Sequence, residues 1–264
     1  MSANLNKLRD LILSYKKAAV ALSGGLDSSV LLAFCVQTLG RENCAAFTIS
    51  TPYMMRSEIC DAKKLCDKLN LDLHLVELEK IPPQIEFNPP DRCYICKSIL
   101  FKSICKKAET LGFDTLIDGT NYDDLSDYRP GMRALSELGI KSPFLECEIG
   151  KSDIRKLAES MGLDFSDKPA YACLLTRLEH GRKIDIASLK KIDELESFLR
   201  QNYTRKVRAR LEFENIRIEC DSSDFIKIAS AAREISDFAK ELGFKHCSLD
   251  LGGYKQGSMN LKNA

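Results

Sequence analysis

Three groups of residues in this sequence have types and spacings suited to chemistry. The first is the stretch Val20 to Ser29, where an apolar run leads into Ser-Gly-Gly-Leu-Asp-Ser-Ser. Adjacent glycines let the backbone turn sharply, and the start of the following helix offers unpaired N–H groups to an anion. No lysine follows the glycines, so this is not the GxxxxGK[ST] loop, and the spacing is not GxGxxG. The stretch predicts a phosphate loop, with an ordinary strand-to-helix corner capped by Ser23 or Asp27 as the alternative.

The second group is acidic and follows a predicted strand. The apolar run Phe113 to Ile117 leads into Asp118-Gly119-Thr120-Asn121-Tyr122-Asp123-Asp124. Carboxylates at the carboxyl end of a parallel strand lie where a phosphate-bound magnesium ion needs oxygen ligands. We therefore expect Asp124 to act in catalysis, with Asp118 and Asn121 beside it. The alternative is a solvated acidic turn.

Cysteines form the third group. The chain has 11, an odd number, and its N-terminal pattern is a charged amphipathic helix and not an export signal. We therefore expect reduced thiols, not a disulfide framework. Four of them fall in helical apolar patterns typical of core residues: Cys35, Cys60, Cys66 and Cys105.

The other notable cysteines do not fit such patterns. Cys93 and Cys96 form a CxxC before a helix predicted from Ile99 to Leu111, and Cys173 lies in the irregular stretch Gly162 to Lys183. Cations lower the pKa of a thiol and make it a stronger nucleophile. Lys168 and Arg177 lie near Cys173 in the sequence, a setting that would favour a reactive thiol at Cys173, with Arg177 assisting it.

Alternating strand and helix patterns must position these groups. Strand patterns at Cys44 to Ser50 and Leu71 to Leu78 flank a helical pattern at Arg56 to Leu69. This rhythm predicts an α/β fold with a parallel, Rossmann-like sheet and right-handed crossovers. Ligands bind at the carboxyl ends of such strands, where the phosphate loop lies. The segment Thr48 to Tyr53 leaves a strand at the same edge, so its backbone and the Met54 side chain are expected to flank an adenine, with core packing as the alternative.

We expect two domains, with the α/β domain at residues 1–165 and a smaller α+β domain at residues 166–264. In the smaller one, Arg208 and Arg210 alternate along a predicted strand and therefore share one face. Guanidinium groups bind phosphate, so both are candidates for a substrate phosphate, with a solvated strand face as the alternative. Glu194 and Glu196 lie on a predicted helix and are interpreted as exposed charges.

Composition limits the classes of partner. Lys and Arg total 39 against 38 Asp and Glu, so no global charge favours nucleic acid, and a tRNA substrate is not expected. No stretch reaches the ~18 uninterrupted apolar residues of a membrane span. These features predict a cytoplasmic protein that binds neither nucleic acid nor membrane, and we expect a homo-oligomer.

Five motifs, in order along nearly the whole chain, resemble the LarE family of ATP-dependent sulfur transferases within the PP-loop ATP pyrophosphatases. They are SGGLDSS, RCYICK, DGTNYDDLSDYRPGMRA, KPAYACLLTR and DLGGYKQGS. The resemblance implies that the substrate is pyridinium-3,5-biscarboxylic acid mononucleotide, a precursor of the nickel-pincer cofactor of lactate racemase. It implies that ATP and Mg²⁺ adenylate a substrate carboxylate, with loss of pyrophosphate, before a thiocarboxylate forms. ATP would be held by residues of the first motif and two others: Ser23, Gly24, Gly25, Asp27, Ser28, Ser29, Thr48 and Gly119.

The resemblance leaves two sources of sulfur open. In single-cysteine family members the residue matching Cys173 gives up its own sulfur and becomes dehydroalanine. This chain departs from that pattern, because Cys93, Cys96 and Cys173 together resemble the ligands of a four-iron four-sulfur cluster, which would take sulfur from a sulfide donor. Zinc is the rival metal, but structural zinc needs a fourth protein ligand.

Three other functions compete with this one. A tRNA sulfurtransferase should show a basic surface or an added RNA-binding domain. An amidating PP-loop synthetase would give the three cysteines no role. A nucleotide-binding sensor without enzymatic activity would leave Cys173 and the acidic loop unexplained.

Overall fold

The computed structural model of the protein describes residues 3–126, 130–163 and 173–255. The chain divides into two compact units. The first comprises residues 1–85 and 91–170, and the second comprises residues 86–90 and 171–264. The predicted boundary between residues 165 and 166 lies outside the described residues and stays a prediction.

The first unit is built on a parallel sheet. Its strands are β1 (Ala18–Ala21), β2 (Cys44–Ser50), β3 (Leu73–Glu77) and β4 (Leu116–Ile117). Their order is β3-β2-β1-β4, and every pair in it is parallel. This confirms the predicted α/β, Rossmann-like fold. The strand β2 has the bounds that the sequence predicted, whereas β4 is only the last part of the predicted run.

Helices cover both faces of this sheet. They are α1 (Ala3–Tyr15), α2 (Leu26–Leu39), α3 (Arg56–Leu69), α4 (Arg92–Thr110), α5 (Pro130–Glu137), α6 (Pro143–Glu146) and α7 (Lys151–Ser160). Successive strand residues point to opposite faces. Val20 therefore packs in one core with Leu31 and Ile154, while its neighbour Ala19 packs in a second core with Ile104. Two apolar layers thus fix the strand ends that carry the loops.

The helix α4 begins earlier than predicted. Residues 81–90 contain four of the eight prolines and lack a long helix, but the helix then starts at Arg92 and not at Ile99. The prediction placed the CxxC before the helix because its residues carry no apolar periodicity. In the structure Cys93 and Cys96 lie in the first turns of α4, three residues apart, and therefore on one side of it.

The second unit contains an open sheet backed by helices. Its elements are α8 (Ile186–Asn202), β5 (Val207–Glu212), β6 (Asn215–Cys220), α9 (Phe225–Ser230), α10 (Ala232–Glu241) and β7 (Cys247–Leu249). The strand β6 lies between β5, to which it is antiparallel, and β7, to which it is parallel. The apolar face of α8, which includes Leu189, Ile192 and Leu199, is fully buried. In the described parts of the chain, no helix is both long and apolar enough to cross a membrane.

Candidate functional site

The phosphate loop connects β1 to α2 in the first unit. The hydroxyls of Ser23 and Ser28 lie 3.0 Å apart, and the backbone N–H of Ser23 donates to Ser28 Oγ at 3.1 Å. Gly24 has φ +72°, and a Cβ there would lie 2.2 Å from the carbonyl oxygen of Glu58. Only glycine fits that position, because a side chain would meet backbone that cannot yield.

The start of α2 is open to an anion. Its N-cap is Gly25, in extended conformation and without a side-chain capping hydrogen bond. The Ser23 hydroxyl accepts from the Gly25 N–H at 3.3 Å, and neither Ser23 nor Asp27 caps the helix, so the corner capped by Ser23 or Asp27 is wrong. Ser29 is buried, and its N–H already makes the helical bond to the Gly25 carbonyl at 3.2 Å. First-turn N–H groups with no side-chain cap suit a phosphate.

Two neighbouring strand ends complete this edge of the sheet. A Cβ on Gly119 would lie 2.6 Å from the backbone nitrogen of Ser28, so the chain after β4 passes directly over the first turn of α2. Thr48 is buried, and its hydroxyl donates to the Leu22 carbonyl at 2.6 Å. Its side chain therefore fixes β2 to the phosphate loop, which is the core-packing alternative for this residue.

Asp27 links the phosphate loop to the acidic loop. Its Oδ2 accepts from Asn121 Nδ2 at 3.1 Å and from the ammonium group of Lys151. Burial raises the pKa of Asp27, with the charge of Asp124 adding to the rise and Lys151 opposing it. The other oxygen, Oδ1, is buried and has no hydrogen-bond partner among the residues that the structure describes. A carboxylate with one free buried oxygen, close to a second carboxylate, suits a divalent cation.

The acidic loop is an ordered turn and not a solvated one. Asp118 and Asp124 are both buried. Both oxygens of Asp118 are engaged, Oδ1 by the Ser142 hydroxyl at 2.6 Å and Oδ2 by the Thr120 hydroxyl at 2.5 Å. Oδ2 of Asp124 accepts from the Asn121 N–H at 3.1 Å. Asp118 therefore stabilises the shape of the loop. Asp124 is close enough to Asp27 for its charge to raise the pKa of Asp27.

The CxxC thiols lie in the same unit. Cys93 is exposed and Cys96 is half-buried. The hydroxyl of the buried Tyr53, just after β2, lies 3.1 Å from Cys96 Sγ. Burial is the main cause that raises the pKa of the Cys96 thiol, and the Tyr53 hydrogen bond opposes it. Within residues 3–126, 130–163 and 173–255, no three His, Cys, Asp or Glu side chains are grouped to hold a metal ion.

Cys173 belongs to the second unit. It is exposed and begins the turn Leu174–Arg177. Arg177 is buried, with Nε and Nη2 each 2.8 Å from an oxygen of Glu196, and its Nη1 reaches the Cys173 carbonyl at 3.4 Å. Burial alone would lower the pKa of Arg177, but Glu196 outweighs it and raises the pKa, and the Cys173 charge adds to the rise. Lys168 lies outside the described residues.

The interpretation of Glu196 as an exposed charge is wrong. The residue is fully buried and accepts hydrogen bonds from Arg177, Arg200 and the backbone N–H of Ala209. Burial raises its pKa, but Arg177 and the other donors outweigh this and lower it. Glu194 is exposed, as expected. The helical period could have separated the two, because Glu196 falls on the same stripe of α8 as Leu189, Ile192 and Leu199.

The arginines of β5 are buried, so the solvated strand face is also wrong. Arg210 donates to both oxygens of Glu219 at 3.0 Å and to the Thr176 carbonyl. Arg208 stacks on the Tyr254 ring at 4.5 Å and donates to the Lys255 carbonyl, and burial lowers its pKa. No carboxylate of the described residues lies within ion-pair distance of Arg208. The guanidinium group of Arg208 is therefore able to bind an anion.

A cavity of ≈ 330 Å³ opens on this surface of the second unit. Three arginines line it, Arg177, Arg210 and Arg217, together with Glu219 and Asp250. Arg217 contacts Glu212, Glu219 and Asp250. All three guanidinium groups that line the cavity are thus paired with carboxylates.

Two residues that the structure brings into these sites have no signal in the sequence. Lys151 is one of 39 basic residues, and nothing in its spacing relates it to Asp27. Tyr53 lies between β2 and α3, and its link to Cys96 spans 43 positions. Both depend on how the parallel strands bring distant loops to one edge.

The open phosphate loop and the parallel sheet define the first unit as a PP-loop nucleotide-binding domain. In agreement, the family model described as NAD synthase matches residues 5–87. An uncharacterised protein of Methanocaldococcus jannaschii is 38% identical over 243 residues, 91% of each chain. The pyridinium-3,5-bisthiocarboxylic acid mononucleotide synthase of Lactiplantibacillus plantarum is 29% identical over 254 residues, 96% of this chain and 91% of the relative. A tRNA-specific 2-thiouridylase of Clostridium botulinum is 25% identical over 72% of this chain and 59% of its own length.

These similarities extend well beyond the nucleotide-binding unit. The chain belongs to the LarE family of PP-loop proteins.

Proposed function

We propose that this protein is an ATP-dependent sulfur transferase that acts on pyridinium-3,5-biscarboxylic acid mononucleotide. It adenylates a carboxylate of that substrate and converts it to a thiocarboxylate. The observation that carries the proposal is the open phosphate loop beside Asp27, Asn121 and Asp124, in a chain similar over 96% of its length to the L. plantarum synthase.

In the first step a substrate carboxylate oxygen attacks the α-phosphorus of ATP. The bond from that phosphorus to the bridging oxygen breaks, and pyrophosphate leaves with the electron pair. The loop from Ser23 to Ser29 supplies N–H groups and hydroxyls to the phosphates. Asp27 and Asp124 would hold Mg²⁺, which would neutralise phosphate charge, since Asp27 Oδ1 is buried and has no hydrogen-bond partner among the described residues. In the second step sulfur attacks the acyl carbon and AMP leaves with its electron pair.

We further propose that Cys93, Cys96 and Cys173 hold a four-iron four-sulfur cluster, which would supply sulfur derived from a sulfide donor. Thiolates are the usual ligands of such clusters. Support comes from the placement of Cys93 and Cys96 on one side of α4, with Tyr53 hydrogen-bonded to Cys96. The alternative is that Cys173 alone gives up its sulfur, with Arg177 Nη1 3.4 Å from the Cys173 carbonyl.

Arg208 is the stronger candidate for the substrate phosphate. It is buried, and its guanidinium group has no carboxylate partner in the described residues, whereas Arg210 is held by Glu219. We place the enzyme in the cytoplasm as a homo-oligomer that acts without nucleic acid. The similarity to a thiouridylase keeps a tRNA substrate as the second candidate.

Two measurements test the adenylation proposal. Incubation with the pyridinium mononucleotide, ATP and Mg²⁺ should release pyrophosphate and AMP, and Asp27→Ala should abolish this while the protein stays folded. Release of ADP and orthophosphate only would contradict the proposal. Pyrophosphate release with unmodified tRNA, and none with the mononucleotide, would favour the second candidate.

The sulfur source is tested separately. With a cluster, anaerobically purified protein contains iron, and Cys93→Ala or Cys96→Ala abolishes both its visible absorption and thiolation. With a sacrificial cysteine, only Cys173 is essential, and intact-protein mass spectrometry after turnover shows loss of one H₂S. That loss in active, iron-free protein would remove the cluster from the mechanism and leave adenylation intact.

A further inference from the structure

Lys151 joins the two loops of the nucleotide site. Its backbone N–H donates to Asp123 Oδ2 at 2.7 Å, which anchors the start of α7 to the acidic loop. Its ammonium group donates to Asp27 Oδ2 in the first turn of α2. The side chain is 34% exposed, so one end of Lys151 is fixed and the other is free to exchange partners.

The nucleotide site needs a cation such as the Lys151 ammonium group, because the charges of its loops are acidic. The sequence from Ala18 to Gly40 contains no Lys or Arg, and residues 118–124 carry only acidic charges. A bound triphosphate brings several negative charges, and the leaving pyrophosphate gains more as its bond breaks. Cations that are already in place stabilise such charge in a phosphoryl transition state. Magnesium supplies one cation, and Lys151 is positioned to supply a second.

Stability of the fold does not account for Lys151. A cation at the first position of a helix opposes the helix macrodipole. The ion pair with Asp27 is partly exposed, at 34% and 18% for the two side chains, and such pairs contribute little to stability. Asp27 meanwhile keeps Oδ1 for another ligand. Ligand binding therefore explains the Lys151–Asp27 pair better than stability of the fold does.

We propose that Lys151 is a phosphate ligand in the adenylation reaction. Its ammonium group neutralises Asp27 while the site is empty of nucleotide, and it transfers to the β- and γ-phosphates when magnesium takes Asp27. There it stabilises the pyrophosphate that leaves with the electron pair of the broken phosphorus–oxygen bond, and keeps its own proton throughout. The proposal rests on the adenylation function proposed above.

Calorimetric titration with three probes tests it: Mg-ATP, Mg-pyrophosphate and AMP. Lys151→Gln should raise the Kd for Mg-ATP and Mg-pyrophosphate by roughly tenfold to a hundredfold, the value of a charge-assisted hydrogen bond, and leave the Kd for AMP unchanged. Lys151→Arg should retain most of the affinity. The matched control is Lys156→Gln, an exposed lysine on the same helix, which should bind all three as wild type does.

In a second measurement, a substitution should tighten pyrophosphate binding, whereas Lys151→Gln weakens it. Without magnesium, Asp27→Asn should bind free pyrophosphate more tightly than wild type, because Lys151 is released from its carboxylate. The double variant Asp27→Asn/Lys151→Gln should lose that gain. The proposal is overturned if Lys151→Gln binds Mg-ATP and Mg-pyrophosphate as wild type does, or weakens AMP equally. Failure of the adenylation function itself would show differently, as wild-type protein that releases no pyrophosphate.

Discussion

Arg177 and Glu196 form a two-point ion pair inside the second unit, with both nitrogen–oxygen distances at 2.8 Å and side-chain exposures of 1% and 0%. The pair connects α8 to the turn that begins at Cys173. Glu196 also accepts from the N–H of Ala209 on β5. A single carboxylate thus holds a helix, a strand and the turn that begins at Cys173, and the position of Cys173 depends on the charge of Glu196.

Glu196→Gln should destabilise the protein in a pH-dependent way. At pH 7 the change leaves Arg177 buried without a full charge partner, which costs about 3–5 kcal/mol. The folded-state pKa of Glu196 is lowered from its ordinary value near 4.5. Its contribution is therefore fully present above about pH 4.5 and is lost as the pH falls toward the folded-state pKa. Denaturant unfolding of wild type and variant between pH 7 and pH 3 should show a gap that narrows only at the acid end.

The control for this experiment is Glu194→Gln, an exposed residue two positions away on the same helix. It should change stability by less than about 0.5 kcal/mol at every pH. A gap for Glu196→Gln that stays constant down to pH 3 would show that the effect is one of packing and not of charge.

Gly24→Ala should damage the phosphate loop more than a comparable change elsewhere. Gly24 and Gly112 have similar positive φ values, +72° and +77°, but an added Cβ meets the Glu58 carbonyl at Gly24 and nothing within 4 Å at Gly112. Both substitutions cost about 1–2 kcal/mol for the left-handed backbone. Only Gly24→Ala should also weaken ATP binding, measured by calorimetry. Equal ATP affinity in the two variants would contradict this account of the loop.

Asp124→Asn should lower the rate of pyrophosphate release and raise the magnesium concentration needed for half-maximal activity. The asparagine oxygen can still accept from the Asn121 N–H, so the loop should keep its shape and thermal unfolding should change little. Removal of a magnesium-binding carboxylate weakens the metal site. Exposed Asp114, replaced by Asn, is the control. Wild-type magnesium dependence in Asp124→Asn would exclude this residue from the metal site.

Substitution of the two arginines of β5 should affect different properties, stability for Arg210 and substrate binding for Arg208. Arg210→Ala removes a buried partner of Glu219 and should cost about 3 kcal/mol of stability. Arg208→Ala loses the stacking on Tyr254, about 1 kcal/mol, and should mainly raise KM for the mononucleotide. With a substrate that lacks the phosphate, Arg208→Ala and wild type should have similar KM values. Exposed Arg205→Ala should alter neither property.

The sequence predicted those parts of the molecule that depend on local pattern. The strand Cys44–Ser50 and the helix Arg56–Leu69 have the predicted bounds, because apolar period and turn residues determine both. The phosphate loop was predicted for the same reason: its glycines and serines are contiguous. The predicted start of α4 is seven residues late, because residues 92–98, in which Ile95 is the single aliphatic side chain, show no apolar stripe although they are helical.

The burial of charged residues could not be predicted from local sequence pattern. Glu196, Arg208 and Arg210 are buried because each has partners from other elements, such as Arg177, Tyr254 and Glu219. A sequence shows a charge but not the partner that makes its burial tolerable. Lys151 and Asp27 are likewise 124 positions apart. Such pairs become visible only when the sheet brings the loops together.

Residues 86–90 belong to the second unit, although the chain on both sides of them belongs to the first. Asn88 within this segment is fully buried, and its Nδ2 donates to the carbonyls of Leu175, Leu178 and Glu179. The second unit is therefore assembled from two separate pieces of the chain. A chimera that exchanged only the residues after 170 would leave Asn88 facing a foreign turn. Recombination between relatives can replace this unit intact only when both pieces come from the same parent.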